Sequence, residues 1–444
     1  ENIELLKDAK TFTVTTGHQL NLMTGPLYFI YKILTAIRLA EALKVKYPDN
    51  HFVPVYWMAT EDHDFAEINH FSLFGKTFIW EKETKGAVGR IKTEGMEELL
   101  KTVPDLPEAF EQAYMQSTTL AEATLKLVHR LFGDKGLIIL DADHPRLKSH
   151  LSGLAKEELM NKVTQKYVSK TSERLIKLGY SAQAHIREIN LFYLKDGLRE
   201  RIIEEDLKFK ICNTDISCES YQLLTEVDNF PENFSPNVLT RPLYQELILP
   251  NLAYIGGPAE LSYWMQLKSL FGHFQLPFPI LFPRTSGMVV NKTTQKKLEK
   301  LELDVKDLFM NDEELLKKYV YSKTDTDINL EEERQATEKF FEKIYAKALE
   351  TDRSLEKYVM AEKQKSLNIL SEVEKKLNNA GKKRFETQAS QVSGAKDKLF
   401  PDGSLQERKD NFLNFYINNP EFLNDLYENI DPFDFTFKIF TEDD

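Results

Sequence analysis

A chain of 444 residues, 42% apolar and 29% charged, has the composition of an ordinary soluble protein and is too long for one core, so two or three domains are expected. Its net charge of -12 argues against a nucleic-acid clamp, and no run approaches the roughly 18 apolar residues of a membrane span. The only cysteines, Cys212 and Cys218, fit a reduced, cytoplasmic setting better than a disulfide framework.

Thr11-Phe12-Thr13-Val14 alternates and is rich in β-branched residues, so it reads as a strand. It lies so close to the first residue that a preceding segment is expected in the natural protein. "TTGHQLNLMTGPLYFIYK" follows from residue 15, and Leu27, Ile30, Leu34 and Ile37 predict a helix beginning near Pro26. The helix start suits a phosphate or carboxylate. Gly17 and Gly25 would let a ligand approach the backbone, and His18 offers a base or a donor. The plain alternative is a capped turn. No P-loop and no G-x-G-x-x-G is present.

Phe52–Trp57 is a buried strand ending in "ATEDHD". "GLIILDAD" (136–143), "LAYIGG" (252–257) and "PFPILFPRTSG" (277–287) are three more. Strands alternating with helices predict a parallel sheet, with ligands outside its carboxyl ends, where all these polar runs fall. In "TEDHDFAEINH" the run Glu61-Asp62-His63-Asp64 cannot all be buried cheaply and points to a polar pocket. The spacing of His63, Glu67 and His70 invites a metal reading, but two turns separate the histidines by about 10 Å, too far for one ion. In "YIGGPAELSYW", Gly256 and Gly257 precede a helix carrying Glu260, with Tyr263 and Trp264 as an apolar wall. "FPRTSG" adds Arg284 and Ser286, and Arg241 in "LTRPLYQE" is a weaker candidate of the same kind.

The strands divide the chain into a core (1–73, 131–180 and 241–325), insertions at 74–130 and 181–240, a helical hairpin at 326–400 and a helical end at 401–444. "INLFYLKDGLRERII" predicts a β-hairpin turning at Asp196-Gly197. Glu331–Ala380, with no Pro or Gly, predicts one continuous helix of roughly 75 Å that Gly381 ends. Its apolar stripe runs through Phe340, Ile344, Ala348, Leu355, Val359, Leu370, Val373 and Leu377. A second helix carries Phe385, Val392 and Leu399, "PDGS" stops it, and Ser404–Glu407 reads as a capping box opening another. An antiparallel coiled coil that dimerises is expected.

These segments together resemble the bacillithiol biosynthesis cysteine-adding enzymes over nearly the whole chain. The resemblance implies an α/β, Rossmann-like core of the class I synthetase type, similar to cysteinyl-tRNA synthetases, with connective-peptide insertions and a dimerising coiled coil. It implies a ligase that joins L-cysteine to the amine of glucosaminyl malate, the last step in making a low-molecular-weight thiol. The synthetase HIGH motif falls at Thr24-Gly25-Pro26-Leu27, with both histidines absent, and the KMSKS loop falls near Arg284-Thr285-Ser286, with no lysine. The zinc-ligating cysteine is absent, Thr16-Gly17 standing near its place, so no metal is expected beyond a nucleotide's magnesium. The family's usual "TGQQ" keeps its second residue as Gln19, with His18 replacing the first.

On this reading Asp62, Asp64 or Glu260 holds the cysteine ammonium or deprotonates the incoming amine, with His63 beside them, and Arg284 stabilises negative charge. Thr16, Gly17, His18, Gln19, Thr24, Gly25, Glu61, Gly256, Gly257, Tyr263, Trp264 and Ser286 line the substrate site. ATP or another adenine nucleotide is the expected co-substrate, with no nucleic-acid or membrane partner. The rival from another class is a scaffold that binds a nucleotide or thiol on a degenerate synthetase core. tRNA aminoacylation is set aside by the acidic charge and the altered motifs.

Overall fold

The computed structural model describes residues 1–323, 330–384 and 386–441. The chain divides into two compact units, 1–288 with 407–438, and 289–406 with the last residues. The described residues from 289 to 323, expected in the core, therefore belong with the second unit, and most of the C-terminal end belongs with the first.

The first unit is built on a five-stranded sheet of β1 (Thr11–His18), β2 (His51–Met58), β3 (Ile138–Asp141), β4 (Asn251–Gly256) and β5 (Ile280–Pro283). All neighbours are parallel and the order is β5-β4-β1-β2-β3. Helix α1 (Tyr28–Lys46) links β1 to β2, and its Ala36, Leu39 and Ala40 pack on Val14, Ala253 and Ile255 of the sheet. The chain leaves β1 for β2 on one side and returns through β4 on the other. That reversal opens a crevice at the carboxyl ends of β1 and β4, where such sheets bind ligands. Two short helices flank β4: α2 (Arg241–Ile248) before it and α3 (Pro258–Met265) after it.

β1 is longer than its alternating residues predict. Thr15 through His18 stay in register with Val55 through Met58, and the Thr16 hydroxyl donates to the Ile255 carbonyl at 2.9 Å. The polar run thus begins as strand, because its hydroxyls find acceptors inside the sheet, Thr16 on a backbone carbonyl and Thr15 on the Asn251 side chain. Beyond it the chain turns through Met23, Thr24 and Gly25, all with positive φ (51°, 72° and 64°). Asn411, fully buried, clamps this turn by donating to the Met23 and Gly25 carbonyls at 2.7 Å each.

The first insertion carries a hairpin (His70–Leu73 with Lys76–Ile79) and helices Met96–Leu100, Glu108–Met115 and Leu120–Phe132. The second is an antiparallel sheet, and its hairpin turns at Asp196-Gly197 with Gly197 at φ 70°, as the sequence predicts.

In the second unit, α4 (Glu331–Thr351) and α5 (Glu356–Arg384) pack side by side. Contacts of Tyr345 with Glu356 and of Arg334 with Ser371 make them antiparallel. The single long helix is thus broken: Asp352 is extended and its carboxylate caps the turn by accepting the Ser354 N–H at 2.8 Å. Gly381 does not end α5, which runs through it to Arg384. A further helix, α6 (Glu386–Leu399), stops before Pro401, and Phe385 lies outside the described residues. The apolar stripe is divided: Ala348 and Val359 are buried, whereas Phe340, Leu355, Val373 and Leu377 are exposed. The capping box at Ser404 does not form. Only a single turn, Gln406–Arg408, follows, because Glu407 binds Arg284 in the first unit's core instead.

Candidate active site

A cleft of about 600 Å³ in the first unit opens where the topology places it. Its floor is Gly17 and His18 from β1, Trp57 from β2 and Tyr254 from β4. Arg241 of α2 and Glu260 of α3 enter from below, and the second insertion supplies a wall with His185, Arg187, Phe192 and Arg199.

At the β1–β4 junction Lys32, 1% exposed, donates to the Gly17 carbonyl at 2.5 Å and to both oxygens of Glu260 at 2.8 and 3.0 Å. Glu260 also accepts the Tyr254 hydroxyl at 3.1 Å and the Gly257 N–H at 2.9 Å, so it caps α3. Burial pushes the Glu260 carboxyl up, but Lys32 and the Gly257 N–H outweigh it and hold it below its ordinary value. His18 packs on Tyr28 and Phe29, and its buried Nε2 has no hydrogen-bond partner among the described residues. Burial, reinforced by Lys32, lowers its pKa to about 3, so the imidazole is neutral.

At the end of β2 the four-residue polar run splits by burial. Glu61 turns inward, 5% exposed, and pairs with the wholly buried Lys148. Asp62 faces the cleft, accepting the His63 N–H at 2.7 Å and the Gln19 amide at 2.8 Å. Although burial raises its pKa, these bonds and the nearby Arg199 hold it well below the usual carboxylate range. His63 is half exposed and takes a bond from Arg199 at 2.6 Å, while Arg199 lies 3.8 Å over the Phe192 ring.

The charges differ in how they are compensated. Arg284 is 8% exposed and donates to both oxygens of Glu407, at 2.6 and 3.1 Å, while Glu407 also accepts the Gly287 N–H at 2.9 Å. That guanidinium is neutralised, which removes the role expected of it, the stabilisation of developing charge. Arg241 and Arg199 bond to neutral groups instead: Arg241 to Gln245 (3.1 Å) and Tyr254 (3.4 Å), and Arg199 to His63, Ser235 and Pro236. Neither makes an ion pair among the described residues.

Of the residues singled out from sequence, Gly17, His18, Gln19, Glu61, Asp62, His63, Gly257, Glu260, Tyr263 and Arg284 line the cleft. The others do not. Thr16 is bonded inside the sheet, and Thr24 and Gly25 belong to the turn held by Asn411. The start of α1 is covered as well, the Leu27 N–H donating to the Asp410 carbonyl at 2.8 Å, so it is not the open anion site expected. Asp64 caps the one-turn helix Phe65–Ile68. The Gly256 carbonyl accepts the Arg284 N–H, and Ser286 is bonded to Arg284 and Glu407. Trp264 is fully buried behind Tyr254, stacked at 4.1 Å. Among the described residues no group of three or more His, Cys, Asp or Glu could hold a metal ion. Among the described residues no helix is long and apolar enough to cross a membrane.

Sequence reasoning missed Lys32, Arg199 and the cleft wall of the second insertion. Lys32 had a signal: a lone charge in the apolar run "YFIYKILTAI" demands a buried partner. Arg199, two residues past a hairpin turn, had none.

Two family descriptions match the chain: "Bacillithiol biosynthesis BshC, N-terminal Rossmann-like domain" over residues 1–285, and "Bacillithiol biosynthesis BshC, C-terminal coiled-coil domain" over 287–442. Curated relatives named "Putative cysteine ligase BshC" are similar along their length. The one from Cytophaga hutchinsonii is 42% identical over 439 residues, 99% of this chain and 84% of its own. That of Flavobacterium johnsoniae is 44% identical over 452 residues (99% and 85%), and that of Salinibacter ruber 31% over 449 (96% and 82%).

Proposed function

The chain belongs to the bacillithiol biosynthesis BshC family, and on that premise we propose that it is a ligase joining the carboxyl of L-cysteine to the amine of glucosaminyl malate. The observation that carries this reading is one cleft holding an ionised carboxylate, Asp62, together with two guanidinium groups, Arg199 and Arg241, that make no ion pair among the described residues. An acceptor with an amine and two carboxylates needs that combination. In the reaction the amine nitrogen attacks the activated cysteine carbonyl, the bond from carbon to the leaving group breaks, and a proton leaves the nitrogen. Asp62 orients the amine and takes that proton, and Trp57, Tyr254 and Tyr263 exclude water around the forming bond. Activation of the carboxyl is assigned to an adenine nucleotide acting as co-substrate.

The scaffold alternative draws on Lys32 and Arg284, whose charges are neutralised by Glu260 and Glu407 and so are withdrawn from a polyphosphate. One assay separates the two. Purified protein with cysteine, glucosaminyl malate and each nucleotide is followed by mass spectrometry; product with AMP marks an adenylate, and product with ADP an acyl phosphate. Substrates that bind without turnover under every condition would leave the scaffold standing. In the same assay Asp62→Asn is expected to lower kcat about 100-fold or more. Exposed Phe340, Val373 and Leu377 support pairing of the coiled coil with a second copy, which sedimentation would register as a dimer.

A further inference from the structure

Beneath the cleft a chain of side chains runs from the sheet interior to Arg241. The Thr13 and Thr15 hydroxyls lie 3.2 and 2.8 Å from the Asn251 amide oxygen, and the Asn251 amide donates to Glu246 at 2.9 Å. Glu246 also accepts the Gln245 amide at 2.9 Å, and Gln245 in turn accepts Arg241 at 3.1 Å through its other end. Gln245 is fully buried and Glu246 is 8% exposed. Arg241 and Gln245 stand one helical turn apart on α2, so their side chains share a face. With a guanidinium on its oxygen and a carboxylate on its nitrogen, the Gln245 amide can point only one way.

This wiring has a consequence for charge. A buried arginine must be held by acceptors, and a carboxylate acceptor cancels its charge, as Glu407 does for Arg284. Arg241 bonds to the neutral Gln245 amide and, at 3.4 Å, to the Tyr254 hydroxyl. The Glu246 carboxyl stands one residue further away, beyond hydrogen-bond reach, and the Glu260 carboxylate acts on the guanidinium through space without forming an ion pair. Three aromatic rings, of Trp57, Tyr254 and Trp264, surround the guanidinium at 5.6 to 5.9 Å and keep water from screening it.

We propose that Gln245 is a positioning residue that presents Arg241 to the cleft as an oriented cation not tied up in an ion pair among the described residues, and that Arg241 so held is the receptor for a carboxylate of the acceptor substrate. The proposal rests on the reading that the acceptor carries carboxylates, not on the ligase chemistry itself. Its first test therefore uses L-malate alone as the probe, titrated calorimetrically into the full-length protein. Gln245→Glu keeps the shape but places a carboxylate on Arg241, and is expected to weaken malate binding at least tenfold. Arg241→Gln removes the receptor from its accessible end and is expected to do the same, which keeps the test decisive should Gln245→Glu fail to fold. In the turnover assay Gln245→Glu is expected to raise KM for the acceptor while kcat and KM for cysteine change less than threefold, a split that general structural damage would not give. Failure of wild-type protein to bind malate, or unchanged affinity in Arg241→Gln, would overturn the proposal. Absence of product with malate binding still dependent on Arg241 would overturn the ligase reading alone.

Discussion

β4 and β5 lie side by side in one sheet, and Arg241, from α2 ahead of β4, and Arg284, just past β5, line the same cleft, yet the two are wired in opposite ways. At the β5 end Arg284 is locked by Glu407 in a bidentate pair under 8% exposure. Beside β4, Arg241 is held by an amide and a phenol. The first arrangement stabilises a chain crossing, because Glu407 also ties down the Gly287 N–H. The second leaves charge for a ligand. Sequence position at a strand end is therefore not enough to make an arginine functional; what lies across from it decides.

The comparison can be broken hardest at Glu407. Glu407→Ala leaves Arg284 buried without a counter-charge and is expected to cost about 3–5 kcal/mol in chemical denaturation, against little for an exposed pair such as Lys7 with Glu4. A loss below about 1 kcal/mol would mean that Arg284 finds water or another acceptor.

Two buried groups at the β4 side sharpen it through pH. His18 has its pKa depressed from 6.5 to about 3, so the unfolded chain binds its proton first. Its contribution is present above 6.5 and is lost as pH falls towards 3, with a slope of about 1.4 kcal/mol per pH unit. Glu246 is displaced the other way, from 4.5 to about 8, chiefly by burial. Its contribution is present below 4.5 and is lost as pH rises through 8. Denaturation profiles of His18→Gln and Glu246→Gln are expected to flatten the acid and the alkaline limb respectively. A profile unchanged by either substitution would show that the group is solvated.

The smallest effect expected is at Gly17. A Cβ there would sit 3.2 Å from the Tyr254 hydroxyl and 3.5 Å from Arg241, so Gly17→Ala must push the hydroxyl while only touching the guanidinium. About 1 kcal/mol of stability should be lost, with weaker malate binding as the clearer readout.

Much of the fold was legible because its signals are local. β-Branched and apolar runs marked all five strands, Asp196-Gly197 marked a hairpin, and the polar residues after each strand marked one end of the sheet. Where the reading failed, a competing bond had won, a local one at Asp352 and a long-range one at Glu407. Asp352 capped a new turn and broke the long helix, and Glu407 left its box for a guanidinium. Half the site was legible for the same reason: Asp62, Glu260 and Gly17 lie at strand ends.

What the sequence by itself determined, then, is the kind of sheet and which of its edges is polar, since both follow from residues adjacent along the chain. Only the tertiary structure decided which charges are free. Arg284 and Glu407 are 123 residues apart, Lys32 and Glu260 228, and Lys148 and Glu61 87. A buried charge takes its state from whatever the fold places within about 4 Å, and no spacing along the chain records that distance.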